Sequence, residues 1–166
     1  MAAAPAPKKK TATDAIVPIS ENRRARARFA FDEFLEVGIE LKGSEVKSIR
    51  EGKIELGDAY AQVERGQLVL LNAFVPPYKN ATSYGHEPKR SRRLLAHRAE
   101  IDRIEGKIRQ RGYTLVALRA YFKGGRVKIE LGLGRGKDLE DKREDIKERE
   151  QKREARAAMA RRRGER

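Results

Sequence analysis

The sequence predicts a mainly β fold: a small antiparallel barrel with two or three helices and a charged C-terminal tail that is disordered or helical. Three observations predict it. Val127, Ile129, Leu131 and Leu133 alternate with polar residues at the period of a half-buried strand. Two turn signals, Arg65-Gly66 and Lys123-Gly124-Gly125-Arg126, each join two strand-like runs. After Gly136 apolar periodicity stops, and nearly everything that follows is charged.

Taken in order, residues 1–20 form a basic extension rich in Ala, Pro and Lys, too polar to bury a core and expected to be flexible. Residues 21–136 form the barrel domain. From Phe29, an imperfect period of two runs through Ile39 and Leu41, which reads as one long strand with a bulge near Gly38. Ser44 as N-cap, Glu45 in the first turn and Gly52 beyond the end define a short helix. Ala59–Glu64 and Gln67–Phe74 read as a hairpin closed by Pro76-Pro77, and 78–88 as a loop. Leu94, Leu95, Ile101, Ile104 and Ile108 keep helical spacing up to Gly112, opposite a basic face of Arg90, Arg92, Arg93, Arg98, Arg103, Lys107, Arg109 and Arg111. Tyr113–Phe122 and the strand from Val127 complete the unit. Five strands with two helices suit a closed barrel of the oligonucleotide-binding type or an α+β sandwich, and the strand count alone does not separate them.

Residues 137–166 form the tail. Opposite charges recur four apart (Asp138 with Lys142, Asp145 with Arg149, Glu148 with Lys152), giving helical bias without a core. It is either a solvated appendage or a segment that folds along phosphates, ending in Arg161-Arg162-Arg163.

Thirty-nine Lys and Arg face 25 acids, a net charge of +14 that solubility does not require and a polyanion would satisfy. Apolar runs are short, so nucleic acid is the expected polyanion and no membrane is expected. The chain has no Cys, which excludes a disulfide scaffold and cysteine zinc sites and suits the cytoplasm. The N-terminus lacks the order of a secretory signal.

Catalytic and cofactor chemistry find no support. Gly132-Leu133-Gly134-Arg135-Gly136-Lys137 lacks the spacing of a phosphate loop and is followed by Asp138, so its glycines read as a flexible exit from the last strand. His86 and His97 fall on different predicted elements, and Asp32 and Asp58 are isolated, so neither an acid–base pair nor a metal set is expected. Arg23, Arg24, Arg26 and Arg28 make a basic cluster after Asn22. Together with the basic helix and the rings of Tyr60, Phe74, Tyr78 and Tyr84, they favour RNA held by charge and stacking.

Asn22-Arg23-Arg24-Ala25-Arg26, Gly43-Ser44-Glu45-Val46-Lys47-Ser48-Ile49-Arg50, Arg92-Arg93-Leu94-Leu95, Gly112-Tyr113-Thr114-Leu115-Val116-Ala117-Leu118 and Asp141-Lys142-Arg143 occur in this order. With them the chain resembles the small protein B (SsrA-binding protein) family of bacteria from about residue 15 to 155. The resemblance implies an oligonucleotide-binding-type barrel that holds the tRNA-like domain of transfer-messenger RNA. With elongation factor Tu it delivers that RNA to stalled ribosomes for trans-translation, as a cytoplasmic monomer without cofactors. It implies RNA contacts at Asn22, Glu36, Leu95 and Lys128. The basic residues Arg23, Arg24, Arg26, Lys47 and Arg50 add phosphate contacts. Asp141, Lys142, Arg143 and Lys147 would meet the decoding centre, the tail folding as a helix in the empty mRNA channel. Asp138 and Glu140 depart from the family, which usually carries Lys and an aromatic or His there. A general RNA chaperone or ribosome-assembly factor is the alternative.

Overall fold

The alternation of Ile129, Leu131 and Leu133 points these side chains into a closed ring of strands, where each is at most 1 % exposed. The computed structural model describes residues 15–80, 85–110, 112–137 and 139–164. Its strands are β1 (Ile16–Glu21), β2 (Phe29–Ile39), β3 (Tyr60–Glu64), β4 (Gln67–Leu71), β5 (Arg92–Leu95), β6 (Tyr113–Lys123) and β7 (Arg126–Gly136). Its helices are α1 (Arg23–Arg28), α2 (Gly43–Arg50), α3 (Arg98–Ile108) and α4 (Leu139–Gly164).

The ring runs β6-β3-β4-β5-β2-β7, and β7 pairs back onto β6 to close it. That closure makes the six-stranded ring a barrel and not a sandwich, with β1 as a seventh strand on its outside. Strand β6 shares one edge between two partners: Leu115 and Val116 pair with β3, and Arg119–Lys123 pair with β1. Both expected hairpin turns are present, with left-handed backbone at Arg65 and Gly66 and at Gly124 and Gly125, as a two-residue turn between twisted strands demands.

Two apolar clusters divide the interior from the outer face. Inside, Leu35, Val37, Ile39, Leu68, Leu70, Leu94, Leu115, Ile129, Leu131 and Leu133 fill the barrel, and Ile49, Ile101 and Ile104 of α2 and α3 plug it. Outside, Ala25 of α1 packs on Val116 and Leu118 with Phe29 and Phe31 against them.

Several expectations are corrected. Ile16–Glu21 are not part of a flexible extension but a strand, while residues 1–14 lie outside the described residues. The basic cluster at 23–28 follows that strand as a helix. The bulge in β2 falls at Asp32, between Phe31 and Glu33, rather than near Gly38. Strand β4 stops at Leu71 because Asn72 turns left-handed. The stretch expected as one helix from Leu94 is a strand, Arg92–Leu95, followed by the helix at Arg98. Leu94 faces the core while Leu95 faces out, an alternation that helical spacing had concealed.

The N-cap of α2 is Lys42, not Ser44: its backbone N–H donates to Glu45 Oε2 at 2.8 Å. Ser44 instead bonds Nδ1 of the buried His86 at 2.9 Å. The glycines of 132–136 are not a flexible exit, for all three lie within β7. A Cβ on Gly132 would come within 2.7 Å of Phe31 and Leu118, and one on Gly134 within 2.1 Å of the Ala30 carbonyl oxygen.

Beneath α2 lies a buried ion cluster. Glu45 and Arg92 have no exposed side-chain surface and meet at 2.8 Å, and Arg90 closes the other carboxylate oxygen at 2.5 Å. Arg92 also donates to the carbonyls of Ala73, Pro88 and Arg90. Burial pushes the Glu45 carboxyl up, but the bonds from Arg90, the Lys42 N–H and Arg92 outweigh it and hold the pKa at about 2. The cluster ties the 73–92 segment to α2.

Candidate nucleic-acid interface

Strand β2 alternates inward Leu35, Val37 and Ile39 with outward Phe34, Glu36 and Gly38, and its outward positions form one wall of the site. Register places Glu36 beside Glu130, and Gly38 beside both Leu95 of β5 and Lys128 of β7. Three residues implied by the resemblance, Glu36, Leu95 and Lys128, thus line one groove of about 720 Å³ together with Arg126 and His97. Leu95 is 50 % exposed, an apolar side chain offered to solvent from a rigid strand. Gly38 keeps it there, since a Cβ at that position would press on Leu95 Cβ at 3.2 Å.

Glu36 is not a lone acid on a basic surface. Tyr121 donates its hydroxyl to Oε2 at 2.5 Å, and Lys123 Nζ lies 3.0 and 3.1 Å from the two oxygens. The Tyr121 bond, against a smaller opposing effect of burial and with help from Lys123, holds the Glu36 carboxyl below the usual carboxylate range. Burial, then the bond to Glu36, pushes the Tyr121 hydroxyl up, so it remains a donor. Neighbouring Glu130 is paired in turn with Arg119. The charge of Glu36 is thereby largely compensated, and its ionised carboxylate keeps acceptor capacity toward the groove.

The remaining residues divide among other surfaces. Asn22 is buried. Its side-chain amide donates to the carbonyls of Leu56 at 2.8 Å and Ala117 at 3.2 Å, and its oxygen caps α1 at the Ala25 N–H. Its polar atoms are engaged by protein, so it positions α1 rather than offering free groups. With Ala25 packed inward, Arg23, Arg24 and Arg26 of α1 face solvent. Lys47 and Arg50 are exposed on α2, and Lys47 Nζ stands 5.6 Å from the Tyr78 ring centre.

The basic face expected on residues 90–111 is largely neutralised. Arg98 pairs with Asp102, Arg103 and Lys107 with Glu33, and Arg109 with Glu105, while Arg92 is buried; Arg111 lies outside the described residues. In the tail, α4 carries Arg143 and Lys147 exposed, and Glu148 pairs with Lys152. Asp138 and the side chains of Glu140, Asp141, Lys142 and Asp145 lie outside the described residues.

Of the rings expected to stack, Tyr60, Phe74 and Tyr78 are half-buried and Tyr84 lies outside the described residues. Sequence reasoning missed Arg126 in the groove, Tyr121 and Lys123 bound to its Glu36, and Phe34, 55 % exposed, beside it. Only the outward phase of β2 after its bulge would have singled out Phe34.

Among the described residues no cluster of His, Asp or Glu is placed to hold a metal ion, and no helix is long and apolar enough to cross a membrane. His86 has both ring nitrogens engaged, by Ser44 and by the Val75 carbonyl.

A profile of the SmpB protein family matches residues 19–161. An SsrA-binding protein of Myxococcus xanthus (strain DK1622) is 55 % identical over 144 residues, 87 % of this chain and 89 % of its own. One of Thermosynechococcus vestitus is 48 % identical over 150 residues, covering 90 % of this chain and 99 % of its own. Among solved structures, a chain from "tmRNA-SmpB: a journey to the center of the bacterial ribosome" superimposes with a TM-score of 0.63. It is 43 % identical and covers 78 % of this chain and 95 % of its own.

Proposed function

The chain belongs to the SmpB protein family, and on that premise we propose that its groove and α1 hold the tRNA-like domain of transfer-messenger RNA, which it brings to stalled ribosomes for trans-translation. The observation that carries this is convergence. Glu36, Leu95 and Lys128 come from three strands far apart in sequence and meet in one groove.

The division of labour follows from the chemistry. Lys128, Lys123 and Arg126 supply phosphate attraction, Leu95 an apolar contact, and Glu36 an ionised acceptor for base donors. Arg23, Arg24 and Arg26 extend the basic surface along α1, with Asn22 fixing their helix, and Lys47 and Arg50 do so on α2. The tail, with Asp141, Lys142, Arg143 and Lys147, enters the decoding centre and the vacant mRNA channel. The protein acts as a cytoplasmic monomer alongside elongation factor Tu, as a binding and delivery factor without catalytic chemistry or cofactor.

The test is affinity for the tRNA-like domain against an equal length of duplex RNA at about 0.15 M salt, where indiscriminate phosphate attraction is weakened. Clear preference for the tRNA-like domain is expected. Equal affinity would leave a general RNA chaperone or ribosome-assembly factor.

A further inference from the structure

Three rings run along the outer face of β2. Phe29 and Phe31 lie with centroids 6.0 Å apart, and Phe31 and Phe34 6.1 Å apart. The first two are partly buried, packed against Ala25, Val116 and Leu118 beside α1. Phe34 is not: the row ends in solvent with that ring 55 % exposed.

Its surroundings are paired strand. Phe34 sits within β2, pairs with Gly132 of β7 and leans on Phe31. A shallow cavity of about 490 Å³ opens beside it, between Pro18 of β1, Tyr121 of β6 and Glu36. Glu36 belongs to this cavity and to the groove that holds Leu95 and Lys128. The two depressions therefore lie on either side of Glu36.

We propose that Phe34 is a stacking platform for an unpaired nucleobase of the RNA bound along this face. The occupant follows from adjacency and charge. The ring adjoins the Glu36 wall, the three acids of its cavity are each paired, Glu21 with Arg23, Glu130 with Arg119 and Glu36 with Lys123, and the chain carries a +14 excess that seeks a polyanion. A base supplies a flat π-face to the exposed ring while its phosphates reach Lys128 and Arg126 of the adjoining groove. This deepens the proposed function and rests on the Glu36 face being turned to RNA.

Affinity for the tRNA-like domain of transfer-messenger RNA at about 0.15 M salt tests it, using full-length Phe34→Ala, Phe34→Leu and Phe34→Tyr beside Lys128→Ala. Loss of one stacked base weakens binding roughly 5- to 150-fold. That loss is expected for Phe34→Ala and, because a branched aliphatic has no π-face, largely for Phe34→Leu; Phe34→Tyr should bind like the parent. Unchanged binding by Phe34→Ala while Lys128→Ala weakens it would overturn the platform and leave the groove standing. Parental affinity in Phe34→Leu would also overturn it, assigning the ring to apolar cover by protein, including the chain's own first residues. If Lys128→Ala and Phe34→Ala both bound like the parent, the groove itself would be misassigned, and the platform with it.

Discussion

Tyr121 reaches across β7 to donate its phenolic hydrogen to Glu36 at 2.5 Å. That bond is the largest influence holding the Glu36 carboxyl below its ordinary range. A carboxyl lowered in this way stays ionised as pH falls and takes up its proton late. Tyr121→Phe keeps the ring and removes the donor, so Glu36 should protonate at a higher pH and RNA affinity should fail at a correspondingly higher pH. The Glu36 side-chain carbon, followed by NMR through an acid titration, reports it directly. Superimposable titrations of parent and variant would show that the bond does not set the charge.

Lys128 and Leu95 occupy the same groove but act through different forces. Lys128→Ala should weaken binding and lower the slope of log affinity against log salt by about one, as expected when one phosphate contact is lost. Leu95→Ala should weaken binding with the slope unchanged, because no counterion is released by an apolar contact. Affinities over a salt series separate the two, and a changed slope for Leu95→Ala would contradict the assignment.

Asn22 satisfies carbonyls of two distant segments and caps α1. Asn22→Ala leaves buried acceptors unpaired and should cost about 1–3 kcal/mol in urea unfolding. Any loss of RNA affinity should then track the displacement of α1. A variant as stable as the parent that nevertheless failed to bind RNA would show that Asn22 touches RNA itself.

Glu45 contributes to the acid sensitivity of the fold. Its carboxyl sits at about 2 in the folded protein against 4.5 for the unperturbed group. Because the folded value is the lower one, the stabilisation is complete above about pH 4.5 and drains away as pH falls toward 2. The difference amounts to roughly 3 kcal/mol. Glu45→Gln should flatten this acid limb. It should also cost about 3–5 kcal/mol near neutrality by leaving Arg92 buried without its counter-charge. Urea midpoints at about pH 7 and about pH 3 check both.

Lys137 donates its backbone N–H to the Arg28 carbonyl at 2.8 Å, so the barrel is best ended just after it. A chain stopped at Lys137 should hold transfer-messenger RNA nearly as well as the full chain, yet fail to support peptide tagging on stalled ribosomes. Full tagging by that truncation would make α4 dispensable.

Legibility in the sequence followed the range of the forces involved. The hairpins at Arg65-Gly66 and Gly124-Gly125 and the alternation of β7 were legible because turn chemistry and strand period act over neighbouring residues. Strand β1 was not, for it contains Pro18 and pairs only with an edge of β6 about a hundred residues away. Helix α1 has no apolar stripe beyond Ala25 and depends on bonds from Asn22 to Leu56 and Ala117. Arg92 reads as a surface base in any local window, and only the fold shows it sealed against Glu45. At the site, resemblance supplied Glu36, Leu95 and Lys128. The partners that make the Glu36 charge tolerable, Tyr121 and Lys123, became visible only once β6 and β2 flanked the same strand.

The divided edge of β6 makes the first strand detachable. The six-membered ring closes without β1, so loss of β1 would leave every other ladder intact, and hydrogen exchange should show its amides less protected than those of β3 or β7. Asn22 follows directly on that strand, and its backbone N–H donates to the Leu118 carbonyl at 2.7 Å. Lifting β1 would therefore remove one of the moorings of Arg23, Arg24 and Arg26, the others being the Asn22 side-chain bonds and the packing of Ala25. The arginine helix is thus held by one strand that the barrel does not need for closure and by contacts that the barrel itself supplies.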